Sequence, residues 1–412
     1  MSNSDQKGGF GNLPNHVILI IYSWLDLGDR FTASLTCKKW AAAFQSASLW
    51  RHFSFAFRSK AHSKLLKCIE DHANDLKSVR IYIDPQIRVN CDNLCRVVTS
   101  LSRADERRLE RLGIFFIADN PLMFQGNDIL SSLAELFGPP DPKLSVMTSL
   151  IEVDLSGLNV AFTDITINLL ASNHPSLEIL NIQNTSLICK VSPAGLLNLV
   201  QKCRKLTKLF CYHVSVTDEV MLAFTEKKRE SLGYLSLQCL RHDRFRPPIS
   251  PSVWDRVTKS LPKLRVALHF DHTIEKETIR EIMHHQIPVV QINLNVMAEL
   301  ETELALIDSY YSGTIEKLTI FTKGSKEFQR LLLAFVEKAS KLKVLHCYCG
   351  LSQETIQKIF EIKPFFDQFT LLTEETFRAH TPQVYVGQDA RSTVLDSCNY
   401  PVLEESMENL SL

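Results

Sequence analysis

A chain that does chemistry must bring together a nucleophile, a base or a set of metal ligands, so its thiols, imidazoles and short charged motifs come first. HCYC at His346 to Cys349 and CDNLC at Cys91 to Cys95 come nearest to metal-ligand spacing. A structural zinc site needs four well-placed ligands, usually as two close pairs. Cys347, however, falls where the surrounding pattern places core leucines, and small buried thiols are ordinary there. His284 and His285 fit the end of a helix, and Lys227, Lys228 and Arg229 fit a solvated helix end better than a nucleic-acid patch. There is no phosphate loop, no GxSxG and no HExxH. No catalytic residue, metal or cofactor is expected.

The composition narrows the partners. Among 412 residues, 46 basic side chains balance 46 acidic ones, which gives no electrostatic reason to expect nucleic acid or an anionic membrane. Eleven cysteines, an odd number without fixed spacing, suit reduced thiols in a cytoplasmic and/or nuclear protein better than a disulfide framework. The glycosylation-type triplets at Asn184 and Asn409 have no meaning in such a compartment. The apolar run VILIIYSWL is far shorter than the ~20 residues that cross a membrane. The polar leader at 1–10 lacks the basic region and small-residue cleavage site of a secretory signal.

If no chemistry is expected, the elements must present surfaces. Val17, Ile20, Ile21, Trp24 and Leu25 fall at helical spacing and predict a core stripe. Ile18, Leu19 and Tyr22 fill the opposite side, so this helix must be buried on more than one face. Pro14 suits the first helical turn, DLGDR after Leu25 reads as a turn, and RFTASLTC and KKWAAAF read as two further short helices before SASLW. Three short helices in so few residues cannot bury enough surface alone.

The series Leu13-Pro14, Leu25-Asp26-Leu27, Cys37-Lys38-Lys39-Trp40 and Leu49-Trp50 resembles the F-box in residue type and spacing over residues 11–57. It departs from that pattern at His16, where an acidic residue is usual, and at Thr36, where an apolar one is. The resemblance implies that this three-helix hook docks on the Skp adaptor of a cullin-RING ubiquitin ligase. Leu13, Pro14, Ile18, Ile21 and Leu27 would supply apolar contact, with Cys37, Lys38, Trp40, Leu49 and Trp50 completing the hook or bracing it. The reaction itself would belong to other subunits, and this chain would supply proximity to protein substrates.

After the hook, stretches of the type L-x-x-L-x-L recur from Leu76, Leu109, Leu150, Leu177, Leu206, Leu232, Leu264, Val289, Ile315, Leu342 and Phe366. From Leu150 onward they step by 24 to 32 residues, against ~20–29 for leucine-rich repeats. Between them lie helical patterns such as PAGLLNLVQKC and EFQRLLLAFVEKA. The expected class is α/β: the hook, then a curved solenoid with a parallel sheet on its concave face. A doubly wound sheet would need a glycine-rich turn that is missing here. The domain reading is a polar leader at 1–10, the hook at 11–57, irregular first repeats and a proline-rich insertion at 58–149, regular repeats at 150–379, and a polar, mobile tail at 380–412. A second loop, RHDRFRPPISP, begins at Arg241. The array as a whole is similar to the F-box and leucine-rich repeat family.

Alternation along each strand sends the residues between the leucines to the concave face. That row includes Lys208, Phe210, Tyr212, Tyr234, Gln238, Lys317, Phe321, His346 and Tyr348. Five aromatics on a face that ought to be wet suit a binding surface, or else scattered aromatics that loops or the tail cover. Two functions are weighed: substrate receptor of a Skp-cullin-F-box (SCF) type ligase, and a protein-binding scaffold acting outside the ligase.

Overall fold

The structure is a computed structural model, and it describes residues 13–58, 66–118, 126–139, 146–184, 186, 188–226 and 229–380. The leader, the tail beyond 380, Lys227, Lys228 and residues 140–143 of the proline-rich insertion lie outside the described residues. The chain divides into two compact units, Met1–Leu268 with Gln286–Pro288, and His269–His285 with Val289–Leu412.

The first unit opens with α1 (Asn15–Trp24), α2 (Leu27–Ser34) and α3 (Lys38–Phe44), closed by a 3-10 turn at Ala47–Leu49. Asp26 accepts the Asp29 N–H at 2.8 Å and so caps α2. The string DLGDR is therefore the cap and first turn of a helix, not the expected turn between helices; the same aspartate chemistry serves either end. The orientation of α1 also differs from expectation. Ile18 and Tyr22 are the residues buried on it, while Ile20 and Trp24, assigned to the core stripe, face outward. Periodicity locates stripes but cannot choose between two apolar ones.

The strands and helices then alternate: β1 (His52–Phe57), α4 (Leu66–Asp71), β2 (Ser78–Ile83), α5 (Arg88–Arg103), β3 (Glu106–Arg107), β4 (Arg111–Phe116), α6 (Asn127–Phe137), β5 (Val146–Met147), β6 (Glu152–Gly157) and α7 (Asp164–Asn173). They continue with β7 (Ile179–Asn181), α8 (Pro193–Lys202), β8 (Lys208–Tyr212), α9 (Asp218–Ala223), β9 (Tyr234–Cys239), α10 (Pro251–Ser260) and the start of β10 (Arg265–Phe270). Neighbours in the sheet follow the order β1-β2-β4-β6-β7-β8-β9-β10, while β3 and β5 form a separate parallel pair. HFSFAF, which falls inside the stretch assigned to the hook, is β1: it pairs in parallel with β2 from His52↔Ser78 to Phe57↔Ile83. Its alternation of exposed and buried residues is that of a half-buried strand.

In the second unit α11 (Lys276–Ile282) precedes β11 (Val289–Ala298), α12 (Glu301–Tyr311), β12 (Lys317–Thr322), α13 (Lys326–Lys338), β13 (Val344–Leu351), α14 (Gln353–Ile362), β14 (Gln368–Thr373) and α15 (Glu374–His380). Strands β11 to β14 pair in parallel in chain order. Ser325 and Ser352 cap α13 and α14 by accepting the Phe328 and Thr355 N–H groups at 2.9 and 3.1 Å.

All eleven L-x-x-L-x-L stretches form strands. Their consensus positions are closed to solvent, as at Leu177, Leu180 and Ile182 or Leu232, Leu235 and Leu237, except in the last stretch, where Phe369 is exposed. Each such side chain contributes ~1.5–3 kcal/mol by leaving water. Where the repeats are irregular, a polar core contact joins the pieces: buried Arg107 donates to the Leu136 carbonyl at 2.6 Å and lies 3.3 Å from His174 Nε2. Burial, with the Arg107 charge, holds His174 down to about 3. Its Nδ1 accepts the Leu150 N–H at 3.1 Å.

Candidate partner-binding surfaces

The hook is held by four aromatic rings. Tyr22 meets Trp40 edge-on at 5.3 Å, Phe44 meets Trp50 edge-on at 5.2 Å, and Trp50 stacks on His72 at 4.0 Å and on Phe53 at 5.1 Å. Their polar ends are satisfied inside: Tyr22 Oη donates to the Trp40 carbonyl at 3.0 Å and Trp50 Nε1 to the Phe44 carbonyl at 2.9 Å. Burial raises the Tyr22 phenol, with Cys37 adding to the effect, and lowers the His72 imidazole against the pull of Asp75. Arg30 reaches from α2 to the Leu25 carbonyl at 2.9 Å and the Leu49 carbonyl at 3.3 Å, with its guanidinium 4.8 Å above the Phe53 ring. Since Phe53 lies on β1 and His72 precedes β2, Trp50 and Arg30 fasten the hook to the first repeat.

This packing sorts the ten hook residues read from the sequence. Ile18, Trp40, Leu49 and Trp50 are buried in the hook's own core and brace it. Ile18 was expected to supply contact, but as a neighbour of Tyr22 on the inward stripe it has no surface left for a partner. Leu13, Ile21, Leu27 and Cys37 are half-buried, and Pro14 and Lys38 are exposed. Four large apolar residues outside that set stand open to solvent: Ile20 at 57%, Trp24 at 84%, Phe31 at 48% and Leu35 at 71% exposure. They form two i, i+4 pairs, on α1 and at the end of α2. The signal for them lay in the all-round apolar character of the first helix, taken one face too far inward.

On the open face of the first unit, strand register brings Lys208 beside Tyr234, Phe210 beside Ser236, and Tyr212 beside Gln238. The rings of Phe210 and Tyr234 lie 5.3 Å apart. Gln183 Nε2 donates to Gln238 Oε1 at 3.1 Å, and Ser236 Oγ donates to Gln183 Oε1 at 2.6 Å, so this stretch is a preformed polar strip. Tyr212 is a correction: it is buried, its hydroxyl donating to Asn184 Oδ1 at 2.5 Å. A further aromatic pair escaped the sequence reading, Tyr82 and Phe115, stacked at 5.1 Å. The Phe115 ring fits because Gly113 and Gly157 lie beneath it; a Cβ at Gly157 would come within 2.6 Å of that ring.

In the second unit, Asn293, Thr319, His346 and Thr370 stand side by side across four strands, and Asn295, Phe321 and Tyr348 across three. Phe321 and Tyr348 stack at 4.2 Å with their planes 11° apart, and His346 Nδ1 lies 2.9 Å from Thr370 Oγ1. Phe321 and His346 are consequently buried by their neighbours, whereas Lys317 and Tyr348 keep part of their surface. HCYC does not gather ligands from its histidine: Cys347 and Cys349 point inward with sulfurs 3.3 Å apart, on the side opposite His346. The Cys349 contact and burial push the Cys347 thiol well above its usual range. In CDNLC, burial raises Cys91 to about 11.

Comparison with known proteins places these surfaces in context. Residues 10–56 match the family described as F-box-like. The chain is similar to F-box/LRR-repeat protein 8 of Homo sapiens, 22% identical over 90% of this chain and 93% of that protein, and to its Mus musculus counterpart at 23% over the same shares. F-box/LRR-repeat protein 21 of Mus musculus is 25% identical over 69% of this chain and 64% of its own length.

Proposed function

We propose, for a chain that carries an F-box-like domain and is homologous to the F-box/LRR-repeat proteins over about 90% of its length, that it is a substrate-recognition subunit of an SCF-type ubiquitin ligase. The observation that carries this reading is the exposure of Ile20, Trp24, Phe31 and Leu35 on a hook whose remaining aromatics are sealed inside. Apolar and aromatic side chains of that size, held open on a rigid support, are the anchors of protein interfaces. With Leu13, Pro14, Ile21, Leu27, Cys37 and Lys38 around them, they suit an apolar Skp adaptor groove. Cullin and RING subunits would be reached through that adaptor.

Protein targets would lie along the open sheet faces, on Phe210, Tyr234 and Gln238 in one unit and on Lys317 and Tyr348 in the other. The chain would then act by proximity alone, raising the effective concentration of a target near a charged conjugating enzyme. The described cysteines are free thiols, which suits work in the cytoplasm or nucleus. Among the described residues no helix is long and apolar enough to cross a membrane.

The test is co-purification of the intact chain with the Skp adaptor and cullin. Trp24→Glu with Leu35→Glu is expected to weaken adaptor capture by more than about 30-fold, the loss of one strong anchor or more, with the unfolding transition unchanged. A folded wild-type chain that captures neither adaptor nor cullin would leave a scaffold outside the ligase as the reading.

A further inference from the structure

Position eight of the repeat, two residues past the last consensus apolar residue, is filled by Asn184, His213 and Cys239 in three successive repeats. Asn184 does what an amide can do there, donating its Nδ2 hydrogens to the Leu158 and Val160 carbonyls of the preceding turn at 2.7 and 2.9 Å. The next two positions carry an imidazole and a thiol instead. Since Tyr212 pairs with Gln238, His213, just past β8, comes beside Cys239, the last residue of β9. A third group enters from the 3-10 turn Arg241–Phe245: Asp243 Oδ1 lies 2.7 Å from His213 Nδ1, and Oδ2 accepts the Leu240 N–H at 2.6 Å. All three residues are buried, and their ligand atoms lie within 4.8 Å of one another.

We propose that His213, Cys239 and Asp243 form a three-ligand site for a zinc-like divalent cation at the base of the Arg241 loop, with the fourth position left to a water molecule. The set mixes nitrogen, sulfur and oxygen, the donors that zinc accepts in tetrahedral sites. Zinc ligands stand roughly 3.2–3.8 Å apart around bonds of ~2.0–2.3 Å, so the His213–Asp243 contact opens by about half an ångström to admit the ion. On binding, the Cys239 thiol gives its proton to solvent and its sulfur lone pair to the metal, and the His213 ring proton moves from Nδ1 to Nε2 so that Nδ1 can coordinate. The amide of Asn184 already serves the neighbouring turn, while Cys239 makes a weak 3.8 Å contact with the Leu237 carbonyl on its own strand. Burial raises the Cys239 thiol first, and the Asp243 charge raises it further. A cation there reverses both effects.

The consequence is local. Arg246, Pro247, Pro248, Ile249 and Ser250 follow Asp243 and wall a cavity of about 600 Å³ beside the start of α8 and the turn before α9. A metal at the base of the loop fixes that wall.

Titration of the purified, metal-stripped full chain with Co²⁺ tests the assignment. One saturable site with a thiolate-to-cobalt absorption band is expected, together with a higher unfolding temperature. Cys239→Ser should abolish the band. His213→Asn, which installs the side chain that Asn184 uses at the same repeat position, should keep the chain folded without metal and weaken Co²⁺ binding by at least about tenfold. Wild-type protein that takes up no Co²⁺, or uptake that His213→Asn leaves unchanged, overturns the site. If Cys239→Ser does not fold, the His213→Asn result decides alone.

Discussion

The hook and the consensus positions of the first unit's repeats are built from the same apolar residue types, yet one shows some of them to solvent and the other hides them. In β7 to β9 every consensus position is sealed, because alternation gives a strand one inward face and the parallel register repeats it from neighbour to neighbour. Helix α1 has no polar side to settle its orientation. Ile18 and Tyr22 turn inward because Tyr22 finds the Trp40 carbonyl and the Phe44 ring, and Trp24 is left outside. Burial of an apolar residue thus follows from what its partner positions offer, not from its own hydrophobicity. On the proposed reading, the exposed Trp24 beside that packed aromatic core is surface offered to the adaptor.

Two tryptophans of the hook, Trp24 and Trp50, set that contrast at its strongest. Trp50→Ala removes a ring stacked on His72 and Phe53 and is expected to cost ~3–5 kcal/mol of stability. Trp24→Ala should change stability by no more than about 0.5 kcal/mol. Chemical denaturation reads both, and adaptor capture should reverse the order, with Trp24→Ala the more damaging among folded variants. Equal destabilisation by the two would mean that Trp24 is core and that the contrast between the regions is false.

What the sequence disclosed follows the same division. The period of the leucines located eleven of the fourteen described strands, since a buried strand needs only its own alternation and a helix to follow. HFSFAF stayed hidden as β1 because it carries phenylalanines where the repeats carry leucines, and because it adjoins the hook. The F-box resemblance identified the hook, but six of the ten residues it supplied were left with surface, and Ile20, Trp24, Phe31 and Leu35 were absent from them. Tertiary packing chose the exposed face, and no residue spacing encodes that choice. The His213–Cys239–Asp243 cluster was invisible for a related reason: its members are 26 and 4 residues apart and meet only through strand register and the Arg241 turn.

Within the repeats, Tyr212 tests whether an aromatic on the open-face register is a surface at all. Its hydroxyl bridges Asn184 Oδ1 and, at 3.2 Å, the Ser186 carbonyl. Tyr212→Phe should therefore destabilise the chain by ~0.5–1.5 kcal/mol, because the buried amide oxygen keeps the Ser186 N–H but loses its second donor. A shift in the urea midpoint within error of zero would return Tyr212 to the exposed row.

The smallest effect separates the open faces of the two units. Phe321 and Tyr348 stack nearly parallel at 4.2 Å, while Phe210 and Tyr234 are tilted by 41° at 5.3 Å. If the second unit holds a rigid aromatic platform, a double-mutant cycle of Phe321→Ala and Tyr348→Ala should give a coupling of ~0.5–1.5 kcal/mol in unfolding free energy. The matching cycle on Phe210 and Tyr234 should give less, since a tilted pair on a face lined by Gln183 and Gln238 shares fewer contacts. Coupling that is equal in the two cycles, or larger in the first unit, would show that ring geometry does not distinguish the faces. Any preference of a target for one unit would then have to come from the polar strip of Gln183, Ser236 and Gln238.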